Sequence, residues 1–128
     1  MITMEVLLLC DDVIREEKTG KHTVVGIFDR VHVKDFPGGL LKMCAFIRLN
    51  ANAGNHNVTI RIIPPAEAQM TPPETVVVFD VKKDGDIHNI KAVFIQLPLP
   101  VPGRYNVNVI DEAKRHLGET ILHVMKQE

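Results

Sequence analysis

The chain contains no serine and no tryptophan, and only one tyrosine and two cysteines. The missing serine excludes Ser-His-Asp nucleophilic catalysis outright. With no tryptophan and a single tyrosine there is little aromatic surface on which a sugar ring could stack, which weighs against both glycosidase and carbohydrate-binding readings. The two cysteines, Cys10 and Cys44, form no Cys-x-x-Cys pair, and nothing in their spacing argues for a disulfide. Neither sign of charge dominates: the net charge is −1. A nucleic-acid binder needs a basic stripe to displace counterions, so that partner class is not expected. No Gly-x-x-x-x-Gly-Lys-Ser/Thr and no Gly-x-Gly-x-x-Gly occurs, so no phosphate loop or dinucleotide fingerprint is present. The apolar run Val6–Cys10 is too short to span a bilayer and lacks the basic and small-residue flanks of a signal peptide. The expectation is a cytoplasmic protein with free thiols and no membrane partner.

No sustained 3.6-residue periodicity is found either, and Val and Ile outnumber Leu and Ala. β-branched side chains lose rotamer freedom in helices and suit pleated sheets. The clearest pattern is Val101–Met125. Pro102-Gly103 is turn chemistry. After it Tyr105, Val107 and Val109 alternate with Arg104, Asn106 and Asn108. A polar break at Asp111–His116 separates this strand from Leu117–Met125, and the two predict an antiparallel hairpin. Further strands are expected at Met4–Cys10, at Val13–Glu17, at Thr23–Phe28 with Gly26 marking a bulge or a close approach of backbone, and at Val31–Lys34. Leu41–Leu49 follows, with Leu41, Met43, Ala45, Ile47 and Leu49 facing the core. Asn57–Ile63 has Val58, Ile60 and Ile62 inward. Thr75–Lys82 and Ile87–Leu97 complete the set, and Pro98 and Pro100 end the last of these. Pro64–Pro73 is an exposed connection. The whole predicts one domain over residues 1–128. Its fold is expected to be an all-β, antiparallel β-sandwich of immunoglobulin-like, Greek-key type with about eight strands; a closed barrel is the alternative.

Few residues point to chemistry. The six histidines show no His-x-His or His-x-x-x-His spacing and are expected on surfaces or edges. Asp11, Asp12, Glu16 and Glu17 form an acidic cluster that suits either a calcium site or, as weighed more heavily, a charged edge that blocks strand aggregation. Two aspartates follow Cys10, and they oppose thiolate formation, so both cysteines are expected to pack as structural residues. Tyr105 is expected in the core, its hydroxyl bonded to backbone at a corner. No catalytic, cofactor-binding or metal residue is assigned. One departure from a plain monomer remains. Lys42, Cys44, Phe46 and Arg48 on one strand, and Ile121, His123 and Met125 on another, place apolar side chains on outward positions beside charges. If they share a sheet they form a candidate interface; if a loop covers them they do not.

The wording Leu8-Leu9-Cys10-Asp11, Gly20-Lys21, Gly26-Ile27-Phe28-Asp29, Pro102-Gly103-Arg104-Tyr105 and Leu122-His123-Val124, with Leu40-Leu41 after Pro37-Gly38-Gly39, resembles a family of small uncharacterised bacterial proteins of unknown function. The likeness spans nearly the whole chain and is weakest at Pro64–Pro73. It implies a small β-rich domain with no assigned activity, no cofactor and no catalytic residue to carry over. The functional expectation is a non-enzymatic interaction module, binding a protein partner or itself through a sheet face or edge. A small-molecule or metal-binding sandwich using loop-end His and Asp/Glu is the alternative, and an enzyme of unrecognised type a weaker third.

Overall fold

The structure is a computed structural model that describes residues 1–128. Its elements in chain order are β1 (Thr3–Arg15), β2 (His22–Ile27), β3 (Arg30–Val33), β4 (Gly38–Ala51), β5 (Gly54–Ile63), β6 (Glu74–Val81), β7 (Asp86–Leu99), β8 (Gly103–Asp111) and β9 (His116–Lys126). One sheet has the order β2-β1-β4-β7, the other β3-β9-β8-β5-β6. Successive strands cross between layers at β2–β3, β3–β4, β4–β5, β6–β7 and β7–β8, which is the Greek-key sandwich the alternation predicts. All pairings are antiparallel except β3 with β9, where Val31 lies opposite Val124 in parallel register. The strands number nine, in line with the expectation of about eight.

The inner faces of both sheets meet in one core of 23 buried residues. Met43, Ala45, Ile47 and Leu49 of β4 face Val58, Ile60 and Ile62 of β5, Tyr105, Val107 and Val109 of β8, and Leu122 and Val124 of β9. These are the alternate positions read from the sequence. For β7, whose inward set the pattern leaves ambiguous, Ile90, Ala92, Phe94, Leu97 and Leu99 are buried. That list skips from 94 to 97, and the skip overturns one expectation. Gln96 has φ of 51°, in the left-handed region. The rotation there breaks the two-residue period on β7, and on β4 directly opposite. Leu40 pairs with Leu97 and Lys42 with Ile95, and Leu41 between them turns outward, 82% exposed beside Ile95 at 64%. Leu41 is therefore not a core residue.

Three boundaries also differ from the sequence pattern. Asp11-Asp12 does not end the first strand. Gly26 adopts φ of 66° opposite Asp11, where a Cβ would collide with the Asp11 carboxylate. β1 runs on to Arg15 against β2 in constant register, with Val13 opposite Val24, so Gly26 makes no bulge and instead leaves room for the Asp11 side chain. Pro98 does not end β7, because β7 is an edge strand and a missing N–H costs nothing on a free side. β4 begins at Gly38 and not at Leu41: Gly39 lies so close to the Leu97 backbone that a side chain has no room.

Candidate binding surfaces

The seven candidate interface residues do not share a sheet. Lys42, Cys44, Phe46 and Arg48 lie on β4 of the four-stranded sheet; Ile121, His123 and Met125 lie on β9 of the five-stranded sheet. Outer faces of a sandwich point away from each other, so the two groups are on opposite sides of the molecule.

Within the β4 group Cys44 and Phe46 are covered, by the β1–β2 hairpin, while at the rim Lys42 stays exposed and Arg48 half-buried. Pairing of β1 with β4 stops at Cys10–Cys44, and beyond Cys10 β1 leans with β2 over the outer face. Val13, Cys10, Cys44 and Phe46 form a second buried cluster with Val6, Leu8, Val24 and Val93 packed on it. Lys91 of β7 reaches across the sheet, donating to Val13 O at 3.1 Å and to Asp12 Oδ1 at 3.2 Å. Lys42 Nζ lies 3.3 Å from the same oxygen, and Arg48 pairs with Glu5 at 3.2 Å. Hydrogen bonds from the Val13 amide, Lys91 and Lys42 hold the Asp12 carboxyl below its ordinary value. Asp12 is thus spent on two lysines, and the chain gathers no group of three His, Cys, Asp or Glu side chains suited to a metal.

Both cysteines are unbridged and buried. Burial pushes the Cys10 thiol up to about 11, with Cys44, Asp11 and Asp12 adding to the effect. Burial likewise raises Cys44. A protonated, enclosed thiol is a poor nucleophile. We expect an aromatic disulfide reagent at pH 8 to leave the folded chain unmodified and to titrate two thiols in denaturant. Rapid native-state reaction of either thiol contradicts a closed hairpin over Cys44.

The histidines divide in a way the spacing does not reveal. His56, expected at the surface, is buried. Its Nε2 donates to Asn52 O at 2.7 Å and its Nδ1 lies 3.3 Å from Glu112 Oε1. Its ring stands 5.7 Å from Phe79, which stacks in turn on His88 at 5.1 Å. Glu112 also accepts from the Asn57 amide. This loop-end His–Glu pair therefore ties β5 to the β8–β9 turn. It is a brace, with no open position for a ligand.

The outer face of the five-stranded sheet is open. In its cross-strand register Arg30 of β3 lies opposite His123 of β9, and His123 lies opposite Arg104 of β8. Inward neighbours Val31, Val124 and Tyr105 fix all three basic side chains outward. Together with Gly103, Val124 and Met125 they line a pocket of about 400 Å³. Ile121 sits one row further along, beside Asn106. The sequence pattern shows His123 and Met125 as outward positions. It gives Arg104 only as an alternate to Tyr105, and Arg30 joins the row through a parallel pairing that local pattern does not encode.

At the far edge of the same sheet, β6 pairs with β5 on one side only. Its segment Thr75-Val76-Val77-Val78-Phe79 carries no charge, and Val76 and Val78 are 59% and 74% exposed. A hydrogen bond from Thr75 Oγ1 to Val93 O at 3.2 Å ties it to the neighbouring layer.

Residues 5–124 match a sequence family of unknown function, DUF6941. The chain belongs to that family. The DUF6941 match spans nearly all of the sandwich, in keeping with the resemblance drawn from the Leu-Leu-Cys-Asp and Pro-Gly-Arg-Tyr wording. No curated protein matches this DUF6941 member. Among solved structures, the beta-D-glucoside glucohydrolase from Trichoderma reesei is similar at 13% identity and a TM-score of 0.60, over 97% of this chain and 19% of the enzyme. At that identity the likeness is one of fold alone, and the chain spans about a fifth of the enzyme's length. No helix is long and apolar enough to cross a membrane.

Proposed function

We propose that this chain is a non-enzymatic protein-interaction module that adds an extended segment of a partner protein to the free edge of β6. The observation that supports this reading is the edge strand itself. Thr75–Phe79 has no charge, no proline and no bulge, the devices by which sheets usually blunt an exposed edge. Strand addition draws affinity from main-chain hydrogen bonds and specificity from alternate side chains, here Val76 and Val78. Self-association is the other form of the same reading. Antiparallel pairing of two copies centred on Val77 sets Glu74 against Asp80, like charges directly opposed, so a foreign segment fits better. Unbridged cysteines on directly opposed strand positions suit a reducing compartment, and the cytoplasm is part of the proposal.

The test is selection of extended peptides from a random display library on the immobilised chain, followed by amide hydrogen exchange of the complex. The expected result is enrichment of alternating β-branched sequences and slowed exchange at residues 75–79. Val78→Lys is expected to abolish capture without moving the melting temperature, because the side chain is exposed. Protection confined to other strands, or capture that survives Val78→Lys, contradicts the edge. A second-copy partner is checked by sedimentation: a dimer whose formation Val78→Lys prevents replaces the foreign segment with a copy of the chain.

A further inference from the structure

We propose that the pocket framed by Arg30, His123 and Arg104 binds the phosphate group of a small phosphorylated molecule. The site lies across β3, β9 and β8, at the opposite side of the sheet from β6, and does not depend on the edge reading.

Three basic side chains stand in one cross-strand row on one face. With strands roughly 4.8 Å apart, Arg30 and Arg104 flank His123 across about 10 Å. Arg30 and Arg104 each stand opposite His123 with no carboxylate in the row, so two guanidinium charges share one face with no counter-charge between them. Three of the other four arginines show the contrast: Arg48, Arg61 and Arg115 pair with Glu5, Glu74 and Asp111, while the exposed Arg15 lies beside Gly20. Arg104 has no acceptor, the His123 ring has none, and Arg30 touches only the exposed Asp29, through Nε at 3.4 Å. Its terminal NH groups remain open. A chain with net charge −1 thus concentrates unmatched positive charge at one concave spot. Glu119, the carboxylate on the same face of β9, is occupied by His116 and Asn106.

The donor geometry selects among anions. A carboxylate offers two oxygens in one plane, which a single guanidinium fork satisfies. Two guanidiniums on opposite walls with an imidazole between them call for three acceptor oxygens directed apart, as on a phosphate monoester. A volume of about 400 Å³ leaves room beyond the phosphate, and Met125 supplies an apolar wall for the organic part.

The experiment titrates the isotope-labelled chain with inorganic phosphate, phenyl phosphate and benzoate at fixed ionic strength and follows backbone amide shifts. Phenyl phosphate is expected to move the amides of Arg30, Arg104 and His123 and to bind more tightly than inorganic phosphate. Benzoate is expected to bind at least tenfold more weakly than phenyl phosphate, roughly what the loss of one charge-assisted hydrogen bond produces. Arg30→Ala and Arg104→Ala should each weaken phenyl phosphate by about tenfold or more at an unchanged melting temperature. Arg104→Lys, which keeps the charge and loses the fork, should recover less than full affinity. Benzoate binding as well as phenyl phosphate overturns the phosphate assignment. Inorganic phosphate binding more tightly than phenyl phosphate overturns the organic ligand. Absence of shifts at millimolar ligand, or alanine variants that bind like the parent, overturns the site.

Discussion

Tyr105→Phe is expected to lower the folding stability by about 2 kcal/mol, through the loss of one oxygen atom. The Tyr105 ring is fully buried between the sheets. Its hydroxyl donates to Val101 O at 2.6 Å and accepts from the Val101 amide at 3.3 Å. Phenylalanine keeps the ring packing and leaves both backbone groups of a half-buried residue without a partner, each worth about 1 kcal/mol or more. For a domain of this size the melting temperature should fall by roughly 8 °C. Tyr105→Ala adds a cavity and should cost about 4 kcal/mol. The measurement is the denaturant midpoint at unchanged slope, and a Phe variant within 0.5 kcal/mol of the parent, on the scale of about 1 kcal/mol per bond, rejects the corner as a structural joint. The phenol gives a second readout. Burial raises its pKa above the ordinary 10.0, against a lowering by the Val101 hydrogen bond. The folded chain therefore holds that proton more tightly than the unfolded chain does. The stability this adds is full below pH 10 and is lost as pH climbs through the folded value.

That corner shows what a local pattern can carry. Pro102-Gly103 followed by strict alternation places Tyr105 at the start of a strand with its ring inward, and a buried phenol must find a partner close by. The same period reads β4, β5, β8 and β9 correctly where the alternation is uninterrupted. It fails at Leu41 because the cause sits 55 residues away, in the left-handed backbone of Gln96 on the paired strand. It fails again for the surface expected on β4, since nothing within Lys42–Arg48 states that a hairpin built by Asp11 and Gly26 folds over Cys44 and Phe46. The basic row has the same character. Arg30, His123 and Arg104 are far apart in sequence and meet only through two pairings, one of them parallel. Single-strand features are legible; features made by two strands are not, until the register is known.

Asp111→Asn is expected to cost about 2–3 kcal/mol at neutral pH and almost nothing in strong acid. Asp111 ends β8, is buried, and organises the turn to β9. Its Oδ1 accepts from the amides of Ala113 at 2.9 Å and Arg115 at 2.8 Å, and its Oδ2 from Arg115 Nε at 2.9 Å. The backbone closes the same turn from Asp111 N to Arg115 O at 2.9 Å, with Lys114 in the left-handed region. Asparagine can keep the two amide bonds, but it turns an NH₂ toward the guanidinium and removes the charge that attracts it. Burial pushes this carboxyl up; the Arg115 and Ala113 amides and the Arg115 side chain outweigh burial, and the net displacement is downward from 3.8. The folded chain thus binds this proton more weakly than the unfolded chain does. Its contribution is full above pH 3.8 and disappears as pH falls through the lower folded value. Unfolding curves of parent and variant between pH 7 and pH 2 should therefore converge in acid. Curves that stay parallel through that range would show that the carboxylate charge plays no part, leaving only the shape of the side chain to hold the turn.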